Sequence, residues 1–169
     1  MLHEKSVELL NKALAEELTA IHQYMYFHFH ANDQGFDPLS ALFRRIAMEE
    51  MIHAELLAER ILFIKGEIEM VLASPVVKIN TPMGMLDKAR ELEVSALRLY
   101  NEFANLCGTN ADSASKRLFE DLVVQEEGHY DQFDVQTENL RKYGEQFLAL
   151  QSMERSKTLA TALPAGQVP

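Results

Sequence analysis

Glu17, Glu50, His53, Glu93, Glu126 and His129 are the residues of this chain whose types and spacing suit chemistry best, and that chemistry belongs to a pair of metal ions. Glu50 with His53 and Glu126 with His129 form two Glu-x-x-His pairs. On a helix, residues three apart share a face, so each acid lies one turn from its imidazole. Hard carboxylates with one imidazole per metal suit iron or manganese, while geometry and metal supply rather than raw affinity must exclude zinc and copper. Two adjacent ferrous ions can together deliver two electrons to dioxygen or peroxide. The single cysteine, Cys107, offers neither an internal disulfide nor a CxxC couple, so metal chemistry rests on His and carboxylates.

The elements that must carry these residues are helices. Only 7 Gly and 5 Pro punctuate the 169 residues, and the stretches between them are rich in good helix formers such as Ala, Leu, Glu, Lys and Met. The pattern predicts a first helix from about His3 to Asn32, the loop NDQGFDPLS, and a second helix to Lys65 ended by Gly66. The segment GEIEMVLASPVVKINTP reads as a long extended connection. A third helix spans about Met83 to Leu106, and a fourth runs to Tyr143 from an N-cap at Asp112 or Ser113. EQFLALQSMERS forms a short fifth helix, leaving KTLATALPAGQVP as a tail. The domain reading is a four-helix bundle with its short C-terminal helix over residues 1–156 and a tail over 157–169. Short links make helices one and two, and three and four, antiparallel neighbours. The connection between helices two and three can cross the bundle at ~3.3 Å per residue, which makes those two helices parallel.

Reading each helix in steps of three and four places an acid on every apolar stripe. Glu17 interrupts the run from Leu10 to His28, and Glu50 and His53 the run from Leu39 to Ile61. Glu93 and the Glu126–His129 pair interrupt the other two stripes. Buried carboxylates are costly as anions, and four converging would repel strongly; bound cations remove both problems. Thirty-three residues separate Glu17 from Glu50 and also Glu93 from Glu126, and a shift of 76 carries one triplet onto the other. The same shift carries Ala20 to Ala96, Tyr24 to Tyr100, Phe27 to Phe103 and Phe43 to Phe119, the mark of a duplicated hairpin. Glu17 and His53 each lie 18 residues from Gly35, so both sit ~27 Å down their helices and should be level.

The motifs ELTAIHQY (Glu17 to Tyr24), EEMIHAELLAERILFIKG (Glu49 to Gly66) and EEGHYD (Glu126 to Asp131) resemble bacterioferritin, and the resemblance covers about residues 3–155. It implies a ferritin-like four-helix bundle, all-α, with a long crossover between helices two and three and a short fifth helix. By position, Glu17, Glu50, His53, Glu93, Glu126 and His129 match the family's ferroxidase ligands for two iron ions per subunit, with Glu50 and Glu126 bridging. Met51 matches the axial ligand of a haem shared between two subunits. The resemblance further implies a hollow homo-oligomer of 24 subunits. Such a shell oxidises Fe(II) with O2 or hydrogen peroxide and stores Fe(III) mineral, with a ferredoxin-type reductase as the partner for iron release. Tyr24 and Tyr100, two turns beyond Glu17 and Glu93, are candidate hydrogen-bond or one-electron donors to the site.

Met51 also has a reading of its own. It points about 100° away from Glu50 and joins Ala47, Met48, Ala58 and Leu62 in a second apolar stripe, which only another subunit would cover. Interface packing and haem ligation both fit it. His28 is too far along its helix to join the Glu17 site, and His3, His22 and His30 read as surface or structural residues. Arg44 and Arg45 occupy a stretch where some relatives carry accessory iron ligands, so those auxiliary sites do not carry over.

The net charge of −10 and the absence of a basic run argue against nucleic acid. No stretch approaches the ~20 apolar residues of a membrane span, and no leader is evident, so the reading is cytoplasmic. Two other readings stand beside the iron store. One is a dimetal peroxidase or catalase-like enzyme, although a rubredoxin-type CxxC module is lacking; the other is a haem-binding assembly whose dimetal site is catalytically idle.

Overall fold

The computed structural model describes residues 3–162 and, among them, five helices and no strand. They are α1 (Glu4–Asp33), α2 (Asp37–Phe63), α3 (Pro82–Thr109), α4 (Ser113–Tyr143) and α5 (Gln146–Ala162). The expected boundaries hold to within a few residues, except that α5 continues past residue 156. Residues 163–169 of the expected tail lie outside the described residues.

Local chemistry sets the ends. Thr81 caps α3 ahead of Pro82, its hydroxyl accepting from the Gly84 N–H at 3.3 Å. Asp112 rather than Ser113 caps α4, accepting from the Ser115 N–H at 3.1 Å while Arg60 pairs with the same carboxylate at 2.7 Å. Gly35 ends α1 with φ +76°, and the Phe36 and Gly35 N–H groups reach back to the Ala31 and Asn32 carbonyls. At the end of α2 the left-handed residue is Lys65, not Gly66. Gly66 is needed for space instead: a Cβ there would lie 2.6 Å from a Val7 methyl.

Residues 64–81 form the crossover, and α1 holds them by side chains. Asn11 donates to the Glu67 carbonyl and accepts from the Glu69 N–H, both at 2.9 Å. Thr19 accepts from the Ala73 N–H at 2.9 Å, and Gln23 exchanges two hydrogen bonds with Val77. Because successive α1 residues meet successive crossover residues, the strap runs alongside α1 in the same direction. It therefore delivers α3 parallel to α2. An extended segment with no strand partner needs such donors and acceptors for its backbone groups where it packs on α1.

The core divides into two clusters. One joins Leu10, Leu14, Leu57, Ile61, Phe103 and Phe119; the other joins Phe27, Phe43, Ile46, Leu86, Phe133 and Leu148. Residues related by the shift of 76, such as Phe43 and Phe119, fall in opposite clusters. The duplicated hairpins therefore pack with approximate two-fold symmetry. The polar layer lies between the clusters. Leu148 of α5 is buried against the second cluster, whereas Leu150 and Met153 face outward.

Candidate dimetal centre

All six sequence-predicted ligands meet in the layer between the two core clusters, and each is at least 96% buried. The carboxylates come one from each of α1 to α4, and the imidazoles come from α2 and α4. His53 Nδ1 lies 2.8 Å from Glu50 Oε2, 3.1 Å from Glu126 Oε1 and 3.6 Å from Glu17 Oε2. His129 Nδ1 lies 3.0 Å from Glu126 Oε2, 3.1 Å from Glu50 Oε1 and 3.9 Å from Glu93 Oε2. Two ligand sets result, Glu17–Glu50–His53–Glu126 and Glu50–Glu93–Glu126–His129, each with donor atoms within 4.8 Å of one another. Glu50 and Glu126 belong to both, one oxygen turned to each side. The imidazole rings stack across the centre at 5.5 Å.

The expected levelness of Glu17 and His53 is thus met, and the tyrosines take a reciprocal arrangement. Tyr100 on α3 donates to Glu17 on α1 at 2.5 Å, and Tyr24 on α1 donates to Glu93 on α3. Each phenol supports the acid of the opposite hairpin rather than that of its own helix.

The donor set fits two divalent cations. Four carboxylates against two such ions leave no net charge, and each position receives hard oxygen donors plus one imidazole nitrogen. Glu50 Oε2, His53 Nδ1 and Glu126 Oε1 are buried and face one another at 2.8 and 3.1 Å, three acceptors with no donor between them when the imidazole is neutral. Buried polar atoms are rarely left so. A cation satisfies them together.

Without metal, protons must do that work. Burial, then the charges of Glu50 and Glu126, push Glu17 and Glu93 well above the usual carboxylate range. Burial opposes a charged His129, but its hydrogen bonds to Glu126 and Glu50 prevail and raise it to about 10. His53 is raised in the same way, against its own burial, by Glu126, Glu17 and Glu50. Glu126, against the pull of burial, is held down to about 2 by His129 and His53. The His129 contribution to metal-free stability is therefore complete below about pH 6.5, its unfolded value. It is lost as pH rises through about 10. Glu17 and Glu93 act in the same sense, whereas the Glu126 contribution is lost only as pH falls from its ordinary value of 4.5 through about 2. The metal-free protein should accordingly show a thermal midpoint that declines from pH 6 to pH 9. Saturating Co(II) or Mn(II) should flatten that decline, with protons released on binding. Calorimetry at the two pH values checks this, and an equal decline with and without metal contradicts it.

The remaining candidates fall outside the cluster. His28 bonds Ser40, His22 bonds the Leu18 carbonyl, and the His30 ring lies tilted against Tyr26 at 4.3 Å. Cys107 is buried at the end of α3, 3.8 Å from the Ser6 hydroxyl. Arg45 pairs with Glu49 at 3.0 Å and also bonds Gln132. Met51 is 50% exposed on the outward face of α2. The stripe around it needs correction: Ala47 is fully buried in the core, and the exposed company of Met48, Met51 and Leu62 is Ile52, Leu56 and Phe63. Sequence reasoning also passed over Glu49 and Gln125, which grip the outer nitrogens of His129 and His53, each at 3.0 Å. The shift of 76 that relates the ligands relates these two as well, and it was the signal available.

Comparison with known proteins agrees with this geometry. The model of the Ferritin-like domain matches residues 7–143. A bacterioferritin of Desulfovibrio desulfuricans is 32% identical, with 96% of this chain and 94% of that protein covered. One from Rhodobacter capsulatus is 37% identical over 86% of this chain and 91% of that protein. The D. desulfuricans crystal structure, described for its diiron site in different catalytic states, superposes with a TM-score of 0.84 at 33% identity, covering 86% of this chain and 85% of that one. Mycobacterium tuberculosis bacterioferritin BfrA gives 0.85 at 29% identity, covering 90% and 96%. With that likeness running through all four bundle helices, the chain is a member of the bacterioferritin family.

Proposed function

We propose that this protein is a cytoplasmic ferroxidase and iron store. The observation that carries the reading is the sharing of Glu50 and Glu126 between two four-residue ligand sets, one oxygen of each carboxylate turned to each side. Two Fe(II) ions bound there supply one electron each to O2 or peroxide. The chain's part is to hold and orient. Glu50 and Glu126, common to both ligand sets, would hold both ions, Glu17 and Glu93 one each, and His53 and His129 would each offer Nδ1. Tyr100 and Tyr24 fix the terminal acids by hydrogen bonds. The two apolar clusters keep bulk water from the layer. Glu16, Ala20 and Ala96 line the outer part of the cavity at the α1–α3 seam.

Storage needs a shell, and exposed apolar side chains on two elements support one. Met48, Met51, Ile52 and Leu56 form one patch on α2, and Leu150 and Met153 project from α5. The reading takes the family's 24 subunits, in which Met51 would hold a haem shared by two subunits and a ferredoxin-type reductase would supply electrons for iron release. Light scattering should report a particle near 24 times the mass of the chain; a monomer or dimer under native conditions contradicts the shell. The function itself is tested by anaerobic loading with two Fe(II) per subunit followed by O2 or peroxide. Rapid optical oxidation saturating at that ratio is expected. Oxidation no faster than in protein-free buffer refutes it.

A further inference from the structure

The duplicated hairpins supply matching ligands but unmatched partners for them. Position 49 precedes the ligand Glu50 and position 125 precedes the ligand Glu126, again 76 apart, yet one is Glu and the other Gln. Each crosses to the other hairpin: Gln125 Oε1 meets His53 Nε2 and Glu49 Oε2 meets His129 Nε2, both at 3.0 Å. Neighbouring groups favour these orientations. The Gln125 amide N–H donates to the Asp121 carbonyl at 3.4 Å, leaving its oxygen for His53. Arg45 occupies Glu49 Oε1 at 3.0 Å, leaving Oε2 for His129. Because both partners are acceptors, both imidazoles carry N–H at Nε2 and present Nδ1 to the cluster.

We propose that Glu49 is a positioning residue that makes the metal position beside His129 the tighter of the two and the first to fill. The proposal rests on the dimetal reading above. A carboxylate accepts from an imidazole N–H more strongly than a neutral amide does, and so makes the opposite nitrogen a better donor to metal. It also adds negative charge on one side of the centre only. Arg45 and solvent damp that charge, since the Glu49 side chain is 37% exposed, but the partner of His53 Nε2, Gln125, carries no charge at all. The more electron-rich position is also the better host for the higher-charged ion, so Fe(III) formed in the centre is held longer beside His129.

Titration of the whole assembled protein with Co(II) under anaerobic conditions, followed by calorimetry and by the d–d absorption of the bound ion, tests this without recourse to activity. The parent should bind two ions in two steps. Repulsion between the ions also separates the steps, but it does so whatever residue stands at 49. The decisive comparison is therefore Glu49→Gln, which keeps an acceptor but removes its charge and should weaken the tighter step by about 10-fold, the lower end of the usual cost of changing an outer partner of a ligand. Gln125→Glu should strengthen the weaker step. Gln retains the shape and the acceptor, and position 49 is partly exposed, so a merely structural role for Glu49 leaves the titration unmoved. In a His53→Ala background, which retains only the His129 position, Glu49→Gln should lower Co(II) affinity; in a His129→Ala background it should not. Two ions bound with the tighter step unchanged in Glu49→Gln, or both steps weakened alike, overturns the proposal alone. No Co(II) bound by the parent overturns the dimetal reading and this proposal with it.

Discussion

Glu126→Ala should slow Fe(II) oxidation by about a hundredfold or more and leave the helical bundle standing. The size follows from what the residue touches: its two oxygens face both ligand sets, at 3.1 Å from His53 and 3.0 Å from His129. Loss of even an outer partner of a metal ligand costs ~10–100-fold in affinity or activity, and a shared ligand serves both ions. The fold should persist because the apolar clusters on either side of the layer do not include this side chain. Removing one acid also relieves the charge that raises Glu17 and Glu93. It deprives the two imidazoles of a partner, so some stability is lost in exchange. Glu50→Ala should behave alike, since its oxygens make the mirror-image contacts. Stopped-flow oxidation with matched circular dichroism is the measurement. Parental rates in both variants mean that the centre lies elsewhere.

What made this centre legible in the sequence was the cost of putting an acid on an apolar stripe. Glu17, Glu50, Glu93 and Glu126 each break a helical period that the core requires, and the 33-residue spacing repeats. The strap over α1 was not legible. Asn11, Thr19 and Gln23 are polar residues on a long helix, and only the packed structure shows that each meets backbone groups of residues 67–77. The outer stripe of α2 was misread at one edge for a geometric reason. Ala47 lies about 60° from Glu50 and about 40° from Met51 around the helix, so its small side chain can be covered from the core side; Ile52, about 160° from Glu50, has no such choice. An apolar residue opposite the ligands was the stronger sign of an interface. The tyrosine roles were half legible: both phenols reach the centre, but the helix period alone could not show that they cross to the opposite hairpin.

Met51→Leu should abolish stoichiometric haem binding while Fe(II) oxidation continues at the parental rate. The two outcomes separate because Met51 and its neighbour Glu50 face different sides of α2, about 100° apart. Glu50 and His53 are buried in the centre, whereas Met51 is half exposed beside Met48, Ile52 and Leu56. A two-fold contact through that patch would bring one Met51 sulfur from each subunit to opposite sides of a haem. A thioether can serve as an axial ligand and a leucine methyl cannot. Leu and Met are close in volume, and such swaps usually cost under about 1.5 kcal/mol, so the subunit contact should survive and the particle mass should not change. Reconstituted parent protein should therefore take up one haem per two subunits with a low-spin, bis-thioether spectrum, and the variant should take up none. Equal spectra for parent and variant, or a parent that binds no haem, would assign Met51 to interface packing alone. That result would leave the oxidation chemistry intact, because it rests on the six buried ligands and on no atom of Met51.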